Sequence, residues 1–356
     1  MKILKKLLII LGITLGLILF IVGGLLGYFT IVEYNPKPII QETVYSHSNL
    51  NYSNQPLKIM SFNIGYGALG KDEDFVMDGG KKGRADSKAV VEGYFQGIQD
   101  LLVAHESDIY LLQEVDFNSR RSYDINQVNL NAQLFSNYDN VFSYNYKAKF
   151  VPFPFSFTDY FGRVNSGLQT LSKYPIIQSY RHQLPGAFSW PIRTVNLKRA
   201  IQPNYIHIEG QNKQLVVVNI HLSAYDDGSM RIKEMAYLKD FIENEYNKGN
   251  YVIVGGDFNQ TFYEAKDTFP HQDGTWEPLI MDADTLSENF MFAIDPLTPT
   301  CRSLHAPYED DDFPYYIIDG FIVSKNITVT NINTINHGFL YSDHNPVILE
   351  VILNDL

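Results

Sequence analysis

Cysteine occurs once in the 356 residues, at Cys301. A single thiol excludes an intramolecular disulfide, and no cysteine–histidine spacing fits a structural zinc site. Stability must therefore come from a packed core, and the thiol reads as an ordinary small residue. Positive charge is also scarce: 28 lysines and arginines stand against 40 acids, a net charge of −12. That balance argues against gripping nucleic acid through a broad basic surface. It leaves room for metal ions on carboxylates, which invert the field locally. No internal repeat and no low-complexity segment occurs.

The most local absence is of charge. Lys2, Lys5 and Lys6 open the chain, and Leu7 to Val32 then contains no charged residue. At 1.5 Å per residue this helix would measure roughly 39 Å, more than the ~30 Å hydrocarbon core requires, so tilt or interfacial ends are expected. A cleaved signal peptide is the alternative. Its apolar region is shorter, and no small-x-small cleavage site precedes Tyr34-Asn-Pro-Lys-Pro38. We therefore expect a retained single-pass anchor, with residues 1–6 cytoplasmic and everything after Glu33 outside the cell membrane. Taking the three lysines from the 28 bases leaves 25 against 40 acids, so the outer part carries −15.

Residues 33–55, rich in Pro, Ser, Asn and Gln, read as a linker, and 56–356 as the folded domain. At 45% hydrophobic and 19% charged the chain can bury a large core. Apolar spacing predicts a helix within Arg84–His105, through Val91, Phe95, Ile98 and Leu102, and a second from Ser229 to Asn247, with Ser229 as N-cap and Gly249 closing it. Both read as cover for sheets. Phe150, Phe153, Phe155, Phe157, Tyr160 and Phe161 are interleaved with Pro152 and Pro154, which opposes regular structure. Such an aromatic loop fits lipid, substrate or a buried plug equally well. Glu309-Asp-Asp-Asp312 reads as a solvated acidic loop.

Against this background one pattern recurs. Tyr251-Val-Ile-Val-Gly-Gly-Asp-Phe-Asn259 reads as a buried strand, a Gly-Gly break, and then Asp257 and Asn259 on one face. Leu57–Asn63, Asp108–Glu114, Leu215–His221 and Tyr315–Asp319 likewise end on a polar residue, and Ser342-Asp343-His344 precedes a last strand. These ends are spread from Asn63 to His344, so both halves of the chain must build one site. Burying so many polar groups costs stability unless they serve one purpose. Carboxylates, amides and two histidines, with no serine elbow or Cys-His pair, suggest water as the nucleophile and a hard, oxygen-loving metal such as Mg²⁺ on Glu114 and Asn63. The substrate would then be a phosphate ester.

Taken in order, Ser61-Phe-Asn63, Leu112-Gln-Glu114, Asn219-Ile-His221, Gly256-Asp257-Phe-Asn259, Ile318-Asp319 and Ser342-Asp343-His344 resemble the endonuclease/exonuclease/phosphatase superfamily. This is the fold of deoxyribonuclease I, abasic-site endonucleases, neutral sphingomyelinases and inositol-polyphosphate 5-phosphatases. The resemblance implies an α+β, four-layer α/β/β/α sandwich with two central mixed sheets, here preceded by one transmembrane helix. It implies Glu114 and Asn63 as metal ligands and Asp343 as a further ligand or a metal-water contact, for Mg²⁺ with Mn²⁺ as the alternative. His344 would be the general base, oriented by Asp319, and Asp257 would align or deprotonate the water. His221 and Asn259 would hold phosphoryl oxygens, with protonated His221 as leaving-group acid the competing role. Arg163-Val-Asn-Ser-Gly-Leu-Gln-Thr-Leu-Ser-Lys-Tyr-Pro175 offers no clear counterpart to the family's supporting Glu or site Tyr. Arg199 is a candidate phosphate contact or a structural ion pair.

The resulting expectation is a membrane-anchored, metal-dependent phosphodiesterase acting on nucleic acid or on a phospholipid, with no protein partner indicated. The absence of basic clusters disfavours a phosphoinositide phosphatase, and the intact polar set disfavours a non-catalytic binding module.

Overall fold

A strand that is apolar on both faces needs two apolar neighbours, and Leu57–Asn63 has them. In the computed structural model, which describes residues 1–309 and 313–354, Leu57 and Ile59 enter one core cluster and Met60 and Phe62 another. The first cluster joins the inner faces of two sheets, pairing Ile59, Leu111 and Leu349 with Val217, Ile253 and Phe321. The outer faces are covered by helices. Phe95, Ile98 and Leu102 of α2 (Lys88–Ala104) and Val128 of α3 (Gln127–Leu134) cover one sheet. Met235, Leu238 and Ile242 of α4 (Ser229–Asn247) cover the other. The architecture is the four-layer α+β sandwich expected.

Edge to edge, one seven-stranded sheet runs Ile327–Thr334, Val347–Leu353, Leu57–Asn63, Ile109–Asp116, Gly162–Ser172, Asp139–Val151 and Val44–Tyr45. The other runs Ile39–Gln41, Ile176–Gln183, Ala200–His207, Gln214–His221, Tyr251–Asp257, Asp319–Ser324 and Phe290–Ala293. Each contains one parallel pair, Leu57–Asn63 with Ile109–Asp116 and Gln214–His221 with Tyr251–Asp257. A parallel pair needs a long crossover, and α2 and α4 provide it. All four parallel strands therefore end at the same edge of the sandwich, where sites form in α/β units.

Several sequence expectations need correction. The stretch 33–55 is not a free linker: Ile39–Gln41 pairs with Ile176–Gln183 in one sheet, Val44–Tyr45 pairs with Asp139–Val151 in the other, and Tyr52 is fully buried. Strands of two or three residues carry too little of a two-residue period to stand out among the prolines around them. Gly255 and Gly256 do not break their strand; they lie inside it. At φ +154°, Gly256 sits where an added Cβ would meet the Ile220 carbonyl oxygen at 2.1 Å, so no side chain fits. Tyr315–Asp319 is not one strand, and Asp319 begins Asp319–Ser324 instead of ending its predecessor. Because that strand is antiparallel to Tyr251–Asp257, its first residue lies opposite Asp257. The N-cap of α4 is Gly228 at φ +90°, with Ser229 already helical. Ser87 caps α2, accepting from Val90 N at 3.3 Å.

The apolar N-terminal stretch is a 31-residue helix, α1 (Lys2–Val32), long and apolar enough to cross a membrane and with no buried residue. The aromatic loop divides. Phe153 and Phe161 pack against Val195, Leu197 and Phe75, whereas Phe155 and Phe157 are fully exposed. Of the acidic run, Asp310 to Asp312 lie outside the described residues.

Candidate active site

Side chains at odd positions of Leu57–Asn63 and of Tyr251–Asp257 face the space between the sheets, so both strand ends point polar groups at each other. Asn63 Nδ2 donates to Asp257 Oδ2 at 3.0 Å, bridging the sheets. One layer deeper, Gln113 Nε2 donates to Asn219 Oδ1 at 2.8 Å. His221 Nε2 lies 3.4 Å from Asp257 Oδ2 and 4.0 Å from Glu114 Oε1. His344 Nδ1 bonds Asp319 Oδ2 at 2.8 Å, while its Nε2 faces Asn63 Nδ2 at 3.4 Å, Asp257 Oδ2 at 3.8 Å and Asp343 Oδ2 at 3.9 Å. Asn259 donates its backbone N–H to Asp257 Oδ1 and its amide to the Leu222 carbonyl, both at 2.8 Å. One amide hydrogen of Asn259 is left over.

Two of these positions are held against backbone preference. A register shift between Leu112 and Val115 puts Glu114 in a bulge at φ +54°, and Asn259 sits at φ +51°. Left-handed non-glycine residues cost on the order of 1–3 kcal/mol and gather at functional sites. The Glu114 carboxylate accepts no hydrogen bond among the described residues. Arg121 stands beside it at 3.8 Å, fixed by Asp116 at 3.0 Å and stacked 3.6 Å over the Tyr66 ring.

Burial and crowding set the charges. The Asp257 carboxyl is pushed up to about 7 by burial and then by the Asp319 charge, and Asp343 up to about 6 by burial and then chiefly by Glu114. His221 is held well below the ordinary histidine value by burial, with Arg199 adding to the shift. Burial also pulls at His344, but the carboxylates of Asp319 and Asp343 overturn it and leave that ring well above the ordinary value. A neutral His221 is a hydrogen-bond donor, which disfavours the competing acid role.

Asn63, Glu114, Arg199, His221, Asp257, Asn259, Asp343 and His344 line one cavity of about 490 Å³. Asp319 stands behind His344, outside the lining. Arg199, which sequence left between phosphate contact and ion pair, forms no side-chain ion pair or hydrogen bond among the described residues. Arg121 is used by Asp116, and Arg302 donates to the carbonyls of Ser303 and Gly70 at 3.0 and 2.9 Å. Sequence reasoning missed Arg121, Tyr66 and Asn145. Tyr66 and Asn145 line the cavity, and the Tyr66 hydroxyl and both amide atoms of Asn145 are buried without a hydrogen-bond partner among the described residues. Nothing in their local pattern marks them. In the Arg163–Pro175 stretch, Ser166 and Gly167 take the lining positions. Cys301 packs beside His344 with its thiol pushed up to about 12 by burial, a neutral, inert group.

The model of the endonuclease/exonuclease/phosphatase family matches residues 60–344, from the strand carrying Asn63 through His344. The chain belongs to this family. Its fold is shared by an endonuclease/exonuclease/phosphatase from Beutenbergia cavernae at TM-score 0.59 and 15% identity, covering 84% of this chain and 72% of that one. The human Nocturnin catalytic domain with bound sulfate matches at TM-score 0.52 and 16% identity over 88% of this chain and 98% of that one. A family protein from Bacteroides vulgatus matches at 0.53 and 16%, over 84% of this chain and all of that one. No curated protein matches the sequence.

Members of this family are phosphoester hydrolases that generally use divalent metals, and the residues present suit such an ion. Glu114, Asp257 and Asp343 share one cavity, the latter two are pushed toward neutrality, and the Glu114 carboxylate is free to coordinate. A hard, oxygen-rich donor set suits Mg²⁺ or Mn²⁺. Two tighter groups of ligand atoms lie within 4.8 Å of one another, Asp257/Asp319/His344 and Cys301/Asp343/His344. Both centre on His344, whose Nδ1 is committed to Asp319, and a neutral thiol is a poor ligand for a hard cation. These groups are better read as the setting of an imidazole than as ligand shells.

Proposed function

We propose that the chain is a membrane-anchored, divalent-metal-dependent phosphoester hydrolase in which His344 accepts the proton of the attacking water. The observation that carries this reading is the His344–Asp319 pair. An Nδ1–H donated to Asp319 at 2.8 Å turns Nε2 into the cavity, beside Asn63 and Asp257, and once the charged ring has released its Nε2 proton that nitrogen carries the lone pair that accepts a proton from water. Asp257, fixed through both oxygens by Asn63 and Asn259, orients the water for in-line attack. Neutral His221, the remaining N–H of Asn259 and the Arg199 guanidinium donate to the phosphoryl oxygens, whose charge grows as the water–phosphorus bond forms and the bond to the leaving alcohol breaks. When a divalent ion is bound by Glu114, Asn63 and Asp343, it supplies further neutralisation of that charge. Arg121, 3.8 Å from Glu114, steadies its carboxylate.

α1 serves as the anchor in this reading. Lys2, Lys5 and Lys6 hold the N-terminus in the cytoplasm and the catalytic domain stands on the outer side. The test uses the full chain with bis(p-nitrophenyl) phosphate in Mg²⁺, Mn²⁺ or chelator. Turnover should require the metal and fall by at least ~100-fold in His344→Ala with the fold intact. Unchanged turnover in that variant overturns the assignment.

A further inference from the structure

We propose that the substrate is a membrane lipid: a phosphate ester whose hydrocarbon tail occupies the apolar arm of the active-site cavity. This deepens, and rests on, the hydrolase reading. The cavity that holds Asp257 and His344 at one end is continuous with walls made of Phe75, Phe153, Phe161, Phe188, Val195 and Leu197. These walls are built, not incidental: Phe75 stacks on Phe161 at 5.7 Å, and Phe153 meets Phe161 edge-on at 5.8 Å. A phosphate ester with a polar partner on both sides would leave these rings in contact with nothing it could use.

The arm also lies where a lipid would enter. The segment 186–197 contributes Phe188, Ile192, Val195 and Leu197 to the cavity and, by its other side, grips the end of the apolar helix. Trp190 Nε1 donates to Thr30 Oγ1 at 3.0 Å, and Arg193 and neighbouring Lys198 reach Glu33 at 3.6 and 2.7 Å. If α1 spans a bilayer, Glu33 marks where the chain leaves it, and the segment that lines the arm is tied to that residue. Phe155 continues the wall outward, edge-on to Phe153 at 6.4 Å, and with Phe157, Trp190 and Ile192 it is exposed. Exposed rings of this kind settle at the headgroup boundary.

Charge separates a lipid from a nucleic acid. Polynucleotide binding draws on several cations for successive phosphates. Among the three arginines lining the cavity, Arg121 is paired and Arg302 is spent on carbonyls, so Arg199 alone faces a ligand, matching a substrate with one phosphate.

The experiment measures p-nitrophenol release by the full chain in detergent from methyl, butyl and octyl p-nitrophenyl phosphodiesters, which share their reacting atoms and leaving group. With ~0.8 kcal/mol per buried methylene as the ceiling, kcat/KM should rise roughly 30-fold or more from methyl to octyl. The octyl-to-methyl ratio should collapse toward one in Phe153→Asn and, separately, in Val195→Asn. Because detergent partitions the esters identically for every variant, a collapse assigns the preference to the arm. A flat series in the unaltered chain, or a ratio both variants preserve, overturns the lipid inference and leaves the hydrolase reading standing. Faster cleavage of plasmid DNA than of the octyl ester overturns it in favour of nucleic acid. No hydrolysis of any ester with Mg²⁺ or Mn²⁺ defeats the hydrolase reading itself, and the inference with it.

Discussion

The two ends of the active-site cavity are built on different physics. At the polar end nearly every group is held by another: His344 by Asp319, Asp257 by Asn63 and Asn259, Arg121 by Asp116 and the Tyr66 ring. Asn63, Asp257 and Asp319 stand at strand ends, where a rigid sheet fixes direction. The apolar end draws Phe153, Phe161, Phe188, Val195 and Leu197 from the segments 149–161 and 186–197, together with Phe75, and these apolar side chains make only dispersive contacts. Preorganised dipoles favour a transition state, whereas an apolar wall discriminates by area and tolerates movement. In the proposed reading, chemistry belongs to the scaffold and substrate choice to the loops, and substitutions at the two ends should fail in different ways.

The sharpest test of that contrast is His344→Ala, which should reduce turnover by at least ~100-fold on every ester, whatever its tail. Steady-state rates on the methyl and octyl diesters check this, since a loss confined to one would place His344 in recognition. Arg199→Met should come next. One charge-assisted contact is worth about 1.5–3 kcal/mol, so kcat/KM should fall roughly 10- to 100-fold. Because this guanidinium has no side-chain partner among the described residues and burial pulls its pKa down, the variant should melt no lower than the unaltered chain. A lower melting temperature would make Arg199 a structural residue.

The polar end was legible in sequence because a two-residue period converts spacing into direction. Asn63, Glu114, His221 and Asp257 follow apolar strands, and the structure brings all four to one edge. Asp319 was placed at the wrong end of its strand, since a run of apolar residues does not reveal where pairing begins. Tyr66, Arg121 and Asn145 left no signal: each acts through contacts across more than fifty residues or within an irregular turn, which no period encodes. The strands at Ile39 and Val44 were hidden by prolines and by shortness, for two or three residues carry too little pattern to outvote their neighbours. In the aromatic loop, composition announced apolar surface but could not say which rings turn inward; Phe153 and Phe161 do, while Phe155 and Phe157 do not.

A smaller effect tests whether the polar end is held at a cost. Asp343 has a folded value of about 6 against 3.8 for the free carboxyl. Its folded pKa is raised, so its contribution favours the fold below pH 3.8 and is lost as pH rises through about 6. Above that, carrying the charge costs on the order of 3 kcal/mol. Asp343→Asn should therefore melt several degrees higher than the unaltered chain at pH 8 without metal, with the gap shrinking at pH 4. Millimolar Mg²⁺ should stabilise the unaltered chain and narrow the gap at pH 8, because only an intact ligand set gains from binding. A gap that ignores both pH and metal would remove Asp343 from the cation site.

The smallest effect belongs to the outermost rings. Phe157 is fully exposed and meets no other ring among the described residues, so Phe157→Ser should leave the melting temperature within a degree, as for surface positions generally. Replacing Phe155 as well removes an edge contact to Phe153 but no buried area of consequence. If these rings rest at the headgroup boundary, the double variant should lose a few-fold in rate on a long-chain phosphodiester embedded in vesicles. On the same headgroup in free solution it should keep its rate. α1 alone would hold the protein to the bilayer in either case, so a deficit confined to vesicles would reflect the domain's tilt toward the surface and not detachment. Equal rates on both substrates would instead separate the exposed rings from the wall behind them, confining substrate choice to Phe153, Val195 and their neighbours.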